Sequence, residues 1–156
     1  MITKEISHFD LSEICDSGQC FRMERLSENE FTVIAGERYL RVSQGGETVS
    51  FDCTPEEFEG FWKTYFDLDE DYGKYIQAID RKDEYLFTAA DLGGGIRILR
   101  QDLWEMLISF LISQQNNVVR IRRCIENISM RYSREIFADD GTTYYSFPTA
   151  QELSSA

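Results

Sequence analysis

Hydrophobic positions recur at every second residue in the first third of the chain, and at every third or fourth residue beyond it. Residues 20–26 (CFRMERL), 31–42 (FTVIAGERYLRV) and 47–51 (ETVSF) are short runs rich in β-branched and aromatic side chains. SENE and SQGGE separate them and read as turns. Tyr39, Arg41 and Ser43 alternate with Leu40 and Val42, the pattern of a strand with one wet face. Gly45-Gly46 is a hairpin signal. The texture from Phe9 to Phe51 therefore predicts an antiparallel sheet of three to five strands.

The period then changes. Thr54-Pro55-Glu56-Glu57 opens a helix with a capping hydroxyl, a proline at the first helical position and acids at the positive helix end. Phe58, Phe61, Trp62 and Tyr65 supply one apolar face that covers the sheet. Residues 67–75 and 76–87 place aromatics between acids and predict further helix. Leu92-Gly93-Gly94-Gly95 is too flexible for an element interior and divides the chain into residues 1–92 and 93–156. It lacks the GxxxxGK[ST] spacing of a phosphate-cradling loop and leads into an extended IRIL.

After Arg100, Leu103, Trp104, Leu107, Ile108, Leu111 and Ile112 form a stripe wide enough to imply burial on most sides, with Asp102 at its start. Ser113–Asn117 interrupts it with consecutive polar side chains. A second helix, capped by Asn116 or Asn117, buries Val118, Ile121, Ile125 and Ile128 and turns arginines outward. Residues from Phe137 onward begin like a loop, and Phe147-Pro148-Thr149 with AQEL opens a further helix. The expected class is α+β: an N-terminal antiparallel twisted β-sheet with flanking helices, followed by the first helices of an all-α domain that stops incomplete. An incomplete helical domain leaves an apolar face uncovered and so favours dimerisation.

Composition adds limits. Of the 156 residues 42% are hydrophobic and 13% aromatic, ample for a packed core. No apolar run approaches the roughly 18 residues of a membrane span, and the start MITKEISHFDL lacks a signal-peptide pattern. A cytoplasmic protein is the default. Cys15, Cys20, Cys53 and Cys124 form no CxxC pair and read as reduced, mostly buried thiols. With His8 the only histidine, neither a metal site nor a Cys–His nucleophile is expected, and no cofactor is implied.

The net charge of −12 argues against general affinity for polyphosphate, but its distribution reopens the question. Residues 93–134 carry seven arginines against three acids, a net of +4, while the flanking segments carry −12 and −4. A local positive field can attract nucleic acid while the remaining surface repels it. Planar amide heads at a tight turn between two packed helices suit insertion into a base stack, and Arg120 one turn later offers a fork of donors. The same residues also read as an ordinary solvated turn.

A resemblance separates these readings. SGQCFRM (residues 17–23) is similar to the SGQxFRW motif of 8-oxoguanine DNA glycosylases. YFDLD (65–69), GIRILRQDLWEMLISFLISQQNNVVRI (95–121) and YYSFPTAQEL (144–153) resemble later landmarks of that family, in the same order. The resemblance implies a sheet domain leading into a helix-hairpin-helix glycosylase domain. It implies a bifunctional DNA glycosylase/AP lyase that excises 8-oxoguanine from duplex DNA, in a nucleoid or a nucleus. By the same resemblance, Gly18 offers its backbone carbonyl to the N7 proton that distinguishes 8-oxoguanine from guanine. Gln115 fills the hole left by the flipped base, Asn116 and Asn117 support the turn, and Arg120 reads the orphaned cytosine. Met23 stands where tryptophan is usual, and Gln115 where many relatives have asparagine.

The family's Schiff-base lysine and its aspartate follow a hairpin with no counterpart after Asn117, and Lys4, Lys63, Lys74 and Lys82 all precede residue 92. No catalytic residue is therefore assigned, and the polypeptide is expected to be chemically silent by itself. The competing readings are a related helix-hairpin-helix glycosylase for alkylated bases and a non-catalytic interaction module whose acidic sheet binds a basic protein.

Overall fold

The computed structural model describes residues 1–154. Strand β1 (Ile2–Glu5) precedes helix α1 (Leu11–Asp16), and β2 (Met23–Arg25), β3 (Glu30–Ala35), β4 (Arg38–Gly45) and β5 (Thr48–Phe51) follow. They form one five-stranded sheet in the order β1-β5-β4-β3-β2. Both β1 and β4 run antiparallel to β5, with Ile2 and Val42 opposite Phe51. Alternation works as predicted: Phe31, Val33, Ala35, Leu40, Val42, Val49 and Phe51 are buried, and their neighbours along each strand are not. The hairpin closes through Gly46-Glu47.

Two segments differ from the pattern. Residues 11–16, expected in the sheet, are helical, because Asp10 caps the Glu13 N–H and Leu11, Ile14 and Cys15 share one buried face. Six residues are too few to display a helical period. The run 31–42 is also not continuous but folds at Gly36-Glu37 into β3 and β4.

Thr54 opens α2, which runs through Pro55–Glu57, Phe58–Trp62 and Lys63–Tyr65. A reciprocal capping box joins Thr54 and Glu57. Its middle is π-helical, the Lys63 N–H bonding to the Phe58 carbonyl five residues back. The added residue in that turn rotates the inward face. Phe58, Trp62, Tyr65 and Phe66 are buried, whereas Phe61 is only half-buried. Phe51 meets Phe58 and Phe66 at 5.0 and 5.9 Å between ring centroids. Each fully buried aromatic contributes about 1.5–3 kcal/mol from area alone.

Helices α3 (Tyr72–Gln77) and α4 (Glu84–Gly93) occupy the predicted helical stretch, broken at residues 78–83. The glycine run then supports close packing as well as a change of direction. A methyl group on Gly95 would meet Asp10 Cβ at 2.4 Å, while the Gly95 carbonyl accepts from the Asp10 N–H. Residues 96–102 are extended but pair into no strand.

Helices α5 (Leu103–Ser113) and α6 (Val118–Tyr132), the hairpin β6 (Glu135–Phe137)–β7 (Thr143–Tyr145) and α7 (Ala150–Ser154) complete the described chain. Residues from Phe137 onward were expected to begin as loop; three-residue strands are too short to show alternation, yet Tyr144 is buried and donates to the Glu37 carbonyl at 2.8 Å.

The stripe on α5 is not buried on most sides. Trp104, Ile108 and Ile112 pack against Ile121, Ile125 and Phe147, but Leu103, Leu107, Phe110 and Leu111 are exposed. Those contacts lie on one side of α5 and leave the other uncovered among the described residues. Val118, predicted to be buried, is 51% exposed for the same reason.

Contacts divide the chain into two compact units: Met1–Gln19 with Arg25–Phe31 and Arg41–Arg100, and Cys20–Glu24 with Thr32–Leu40 and Gln101–Ala156. Among the described residues no helix is long and apolar enough to cross a membrane, and no group of three metal-ligating side chains gathers.

Candidate nucleic-acid interface

The turn between α5 and α6 owes its shape to its own polar side chains. Ser113 donates to the Phe110 carbonyl at 2.7 Å, and the Gln114 amide donates to the same carbonyl at 3.2 Å. Asn116 Nδ2 donates to the Ile112 carbonyl at 3.1 Å, and its Oδ1 accepts from the Asn117 N–H. Asn117 is the N-cap of α6, its Oδ1 accepting from the Arg120 N–H at 3.0 Å. Four of the five polar residues are thus spent on ending one helix and starting the next.

Gln115 is the fifth. It sits at φ +51°, in the left-handed region where a non-glycine residue is uncommon, and its side chain is exposed. The bonds on either side hold that backbone in place.

Arg120 and Arg123 are both exposed on α6, three residues apart on one face. No acid lies in the first turn of α6, so its positive end is not neutralised locally. The turn therefore combines an exposed amide, a helix N-terminus and two guanidinium groups, which suits a polyanion.

The positive segment is smaller than the charge count implies. Arg97 is buried, Arg100 pairs with Asp67 and Arg134 with Glu37. Charge counting cannot separate a structural arginine from an available one.

In the first compact unit, Gly18 adopts φ +76° beside the exposed Ser17, and no atom lies within 4 Å of where its Cβ would be. That backbone suits glycine, and the open space lets another molecule approach closely.

Two neighbours in the same sequence motif had no role assigned from sequence. Gln19 reaches the extended segment, its Nε2 donating to the Arg97 carbonyl at 2.9 Å and its Oε1 accepting from the Leu99 N–H at 3.1 Å. In the second unit, the Arg22 side chain, 8% exposed, lies 3.6 Å from Glu105 on α5 and donates to the Tyr145 carbonyl. Burial pushes the Glu105 carboxyl above its usual range, against the opposing pull of Arg22. Adjacency to SGQ and FRM was the only signal for either residue.

Known proteins resemble this chain over most of its length. Residues 1–107 match the family model described as 8-oxoguanine DNA glycosylase, N-terminal domain. The N-glycosylase/DNA lyase of Saccharomyces cerevisiae is 32% identical over 163 residues, covering 96% of this chain and 43% of that protein. The apo crystal structure of the Clostridium acetobutylicum 8-oxoguanine glycosylase/lyase superposes with a TM-score of 0.89 at 40% identity, covering 96% of this chain and 52% of the other. The same bacterial enzyme in complex with dsDNA containing cytosine opposite to 8-oxoG gives a TM-score of 0.87 at 37% identity, over 98% and 56% of the two chains. The chain thus spans less than half the length of the yeast relative and about half that of the bacterial one. With a family model covering more than half its residues and the yeast relative aligned over nearly all of it, this chain belongs to the 8-oxoguanine DNA glycosylase family.

Proposed function

We propose that the chain acts in DNA repair, as the sheet and first-helix portion of a bifunctional DNA glycosylase/AP lyase that excises 8-oxoguanine opposite cytosine in duplex DNA. The observation that carries this reading is Gln115, an exposed amide at positive φ on a turn whose other polar side chains are committed to capping. A side chain so presented is suited to occupy the gap left by an extruded base and to offset part of the few kcal/mol that unstacking costs. Arg120 supplies the donor fork for the orphaned cytosine, and Asn116 and Asn117 hold the turn. Gly18 presents its carbonyl to the extruded base. No cofactor enters, no catalytic residue is assigned among residues 1–156, and the place of action is wherever chromosomal DNA lies, nucleoid or nucleus.

Titration with fluorescent oligonucleotides tests the reading. Gln115→Ala is expected to weaken binding to a lesion-containing duplex about tenfold while leaving the lesion-containing single strand within about twofold, since only a duplex has a gap to fill. Equal weakening on both removes the wedge role. Arg120→Ala is expected to erase a preference for cytosine opposite the lesion, and an unchanged opposite-base profile counts against it.

A further inference from the structure

We propose that Gln19 is the positioning residue for lesion discrimination, its side-chain amide clamping the Ser17–Cys20 loop onto residues 97–99 so that Gly18 is held in one recognition geometry. The inference rests on the proposed role of Gly18 and adds the device that fixes it. The clamp resembles one rung of a β-ladder made by a side chain: Gln19 Nε2 donates to the Arg97 carbonyl at 2.9 Å, and its Oε1 accepts from the Leu99 N–H at 3.1 Å. The same Nε2 lies 3.1 Å from Ser17 Oγ, which itself donates to the Ile14 carbonyl at 2.7 Å. One side chain thereby joins the end of α1, the loop and a segment almost eighty residues away in sequence.

The surface that receives the clamp is rigid. Arg97 is buried and donates to the carbonyls of Ser7, His8, Asp67 and Glu70 at 2.9 to 3.0 Å. Leu99 is 5% exposed, and the Arg100 N–H bonds to the Tyr65 carbonyl at 2.8 Å. Gly18 itself has no side chain to anchor it and open space where one would be. Its geometry must be imposed from the next residue, and Gln19 carries both a donor and an acceptor at the end of a chain long enough to do so. Placing a carbonyl against a proton present on one base and absent on its parent requires such preorganisation, because a loosely held acceptor loses the distinction.

The test uses the full chain and two duplexes that differ only in 8-oxoguanine or guanine opposite cytosine, with affinities read by fluorescence anisotropy. Gln19→Ala is expected to lower the ratio of the two affinities about tenfold, what loss of ordinary hydrogen bonds removes, while affinity for the undamaged duplex stays within about twofold. Gln19→Glu keeps the acceptor for Leu99 but cannot donate to the Arg97 carbonyl, and it too is expected to lose discrimination. Should the alanine variant not fold by near-UV circular dichroism, the glutamate variant carries the test. A purely structural role predicts lower stability with an unchanged ratio for whichever variant folds, and that result overturns the proposal alone. A parent chain that binds both duplexes equally overturns the reading of Gly18 and this positioning role with it.

Discussion

Gly95 and Gly60 offer the same substitution with opposite expected signs. A Cβ added at Gly95 would stand 2.4 Å from Asp10 Cβ, 2.9 Å from the Asp10 nitrogen and 2.9 Å from Glu13 Oε2. Carbon pairs rest at about 3.5–4.0 Å, so the overlap exceeds 1 Å at its worst contact and two of the three atoms belong to a capped helix start. Relief requires the 93–96 segment to move from α1. Two hydrogen bonds are then strained or lost: the Asp10 N–H to the Gly95 carbonyl and the Gly95 N–H to Glu13 Oε2, each 2.9 Å. Overpacking costs about 1–3 kcal/mol, and each of the two bonds about 0.5–1.5 kcal/mol, giving roughly 2–6 kcal/mol for Gly95→Ala. At Gly60, inside α2, no atom lies within 4 Å of the added methyl, so Gly60→Ala is expected to gain about 0.5–1 kcal/mol from chain entropy alone. In thermal unfolding of a domain this size these correspond to a fall of roughly 4–24 °C and a rise of about 1–4 °C. Gly95→Ala unfolding at or above the parent temperature refutes the close-approach argument. A fall at Gly60 would show that the π-helical turn needs its glycine.

The remaining predictions concern charge, thiols and the apolar face. Glu105 holds its proton more tightly in the folded chain than in the unfolded one, so its contribution to stability is lost as pH rises through the raised value. Glu105→Gln should therefore gain stability relative to the parent between mildly acidic and neutral pH, and urea titrations showing the reverse trend contradict a desolvated carboxyl. Burial, with Glu57 nearby, pushes the Cys53 thiol up to about 11, whereas Cys124 is exposed. A thiolate-selective reagent at about pH 8 is expected to label Cys124 first and Cys53 only on unfolding, and mass spectrometry finding Cys53 labelled first contradicts this. Phe110 is 59% exposed beside Leu107 and Leu111. Phe110→Glu should leave the melting temperature within about 2 °C and reduce self-association in sedimentation, and a large destabilisation would place that ring in a core.

Much of the fold was legible because it depends on neighbours within a few positions. The alternation of Leu40 and Val42 with Tyr39 and Arg41, the Thr54 cap, the Asp102 cap and the polar turn at residues 113–117 are local arrangements, and each is found where the chain places its residues. The candidate turn could be located for the same reason, since caps and side-chain-to-backbone bonds span four residues or fewer. Helix α1 and the β6–β7 hairpin escaped because they are too short to show a period, and the other differences depended on longer range. The π-helical turn in α2 answers to sheet packing, and it exchanges Phe61 for Phe66 on the inner face. The stripe on α5 states that the helix can be buried, not how many neighbours it has.

The amino-acid order alone determined the change from period two to period three to four, the helix starts, the site of the amide turn and the family resemblance, since short-range sterics and hydrogen bonding are written residue by residue. Only the tertiary structure decided that Arg97 is buried on four carbonyls, that Gly95 admits no methyl group, that Gln19 holds a segment 78 positions away and that Gln115 lies exposed at positive φ while its neighbours cap. Those outcomes depend on groups distant in the chain meeting in space. No periodicity encodes such a meeting, because it is fixed by how whole elements pack.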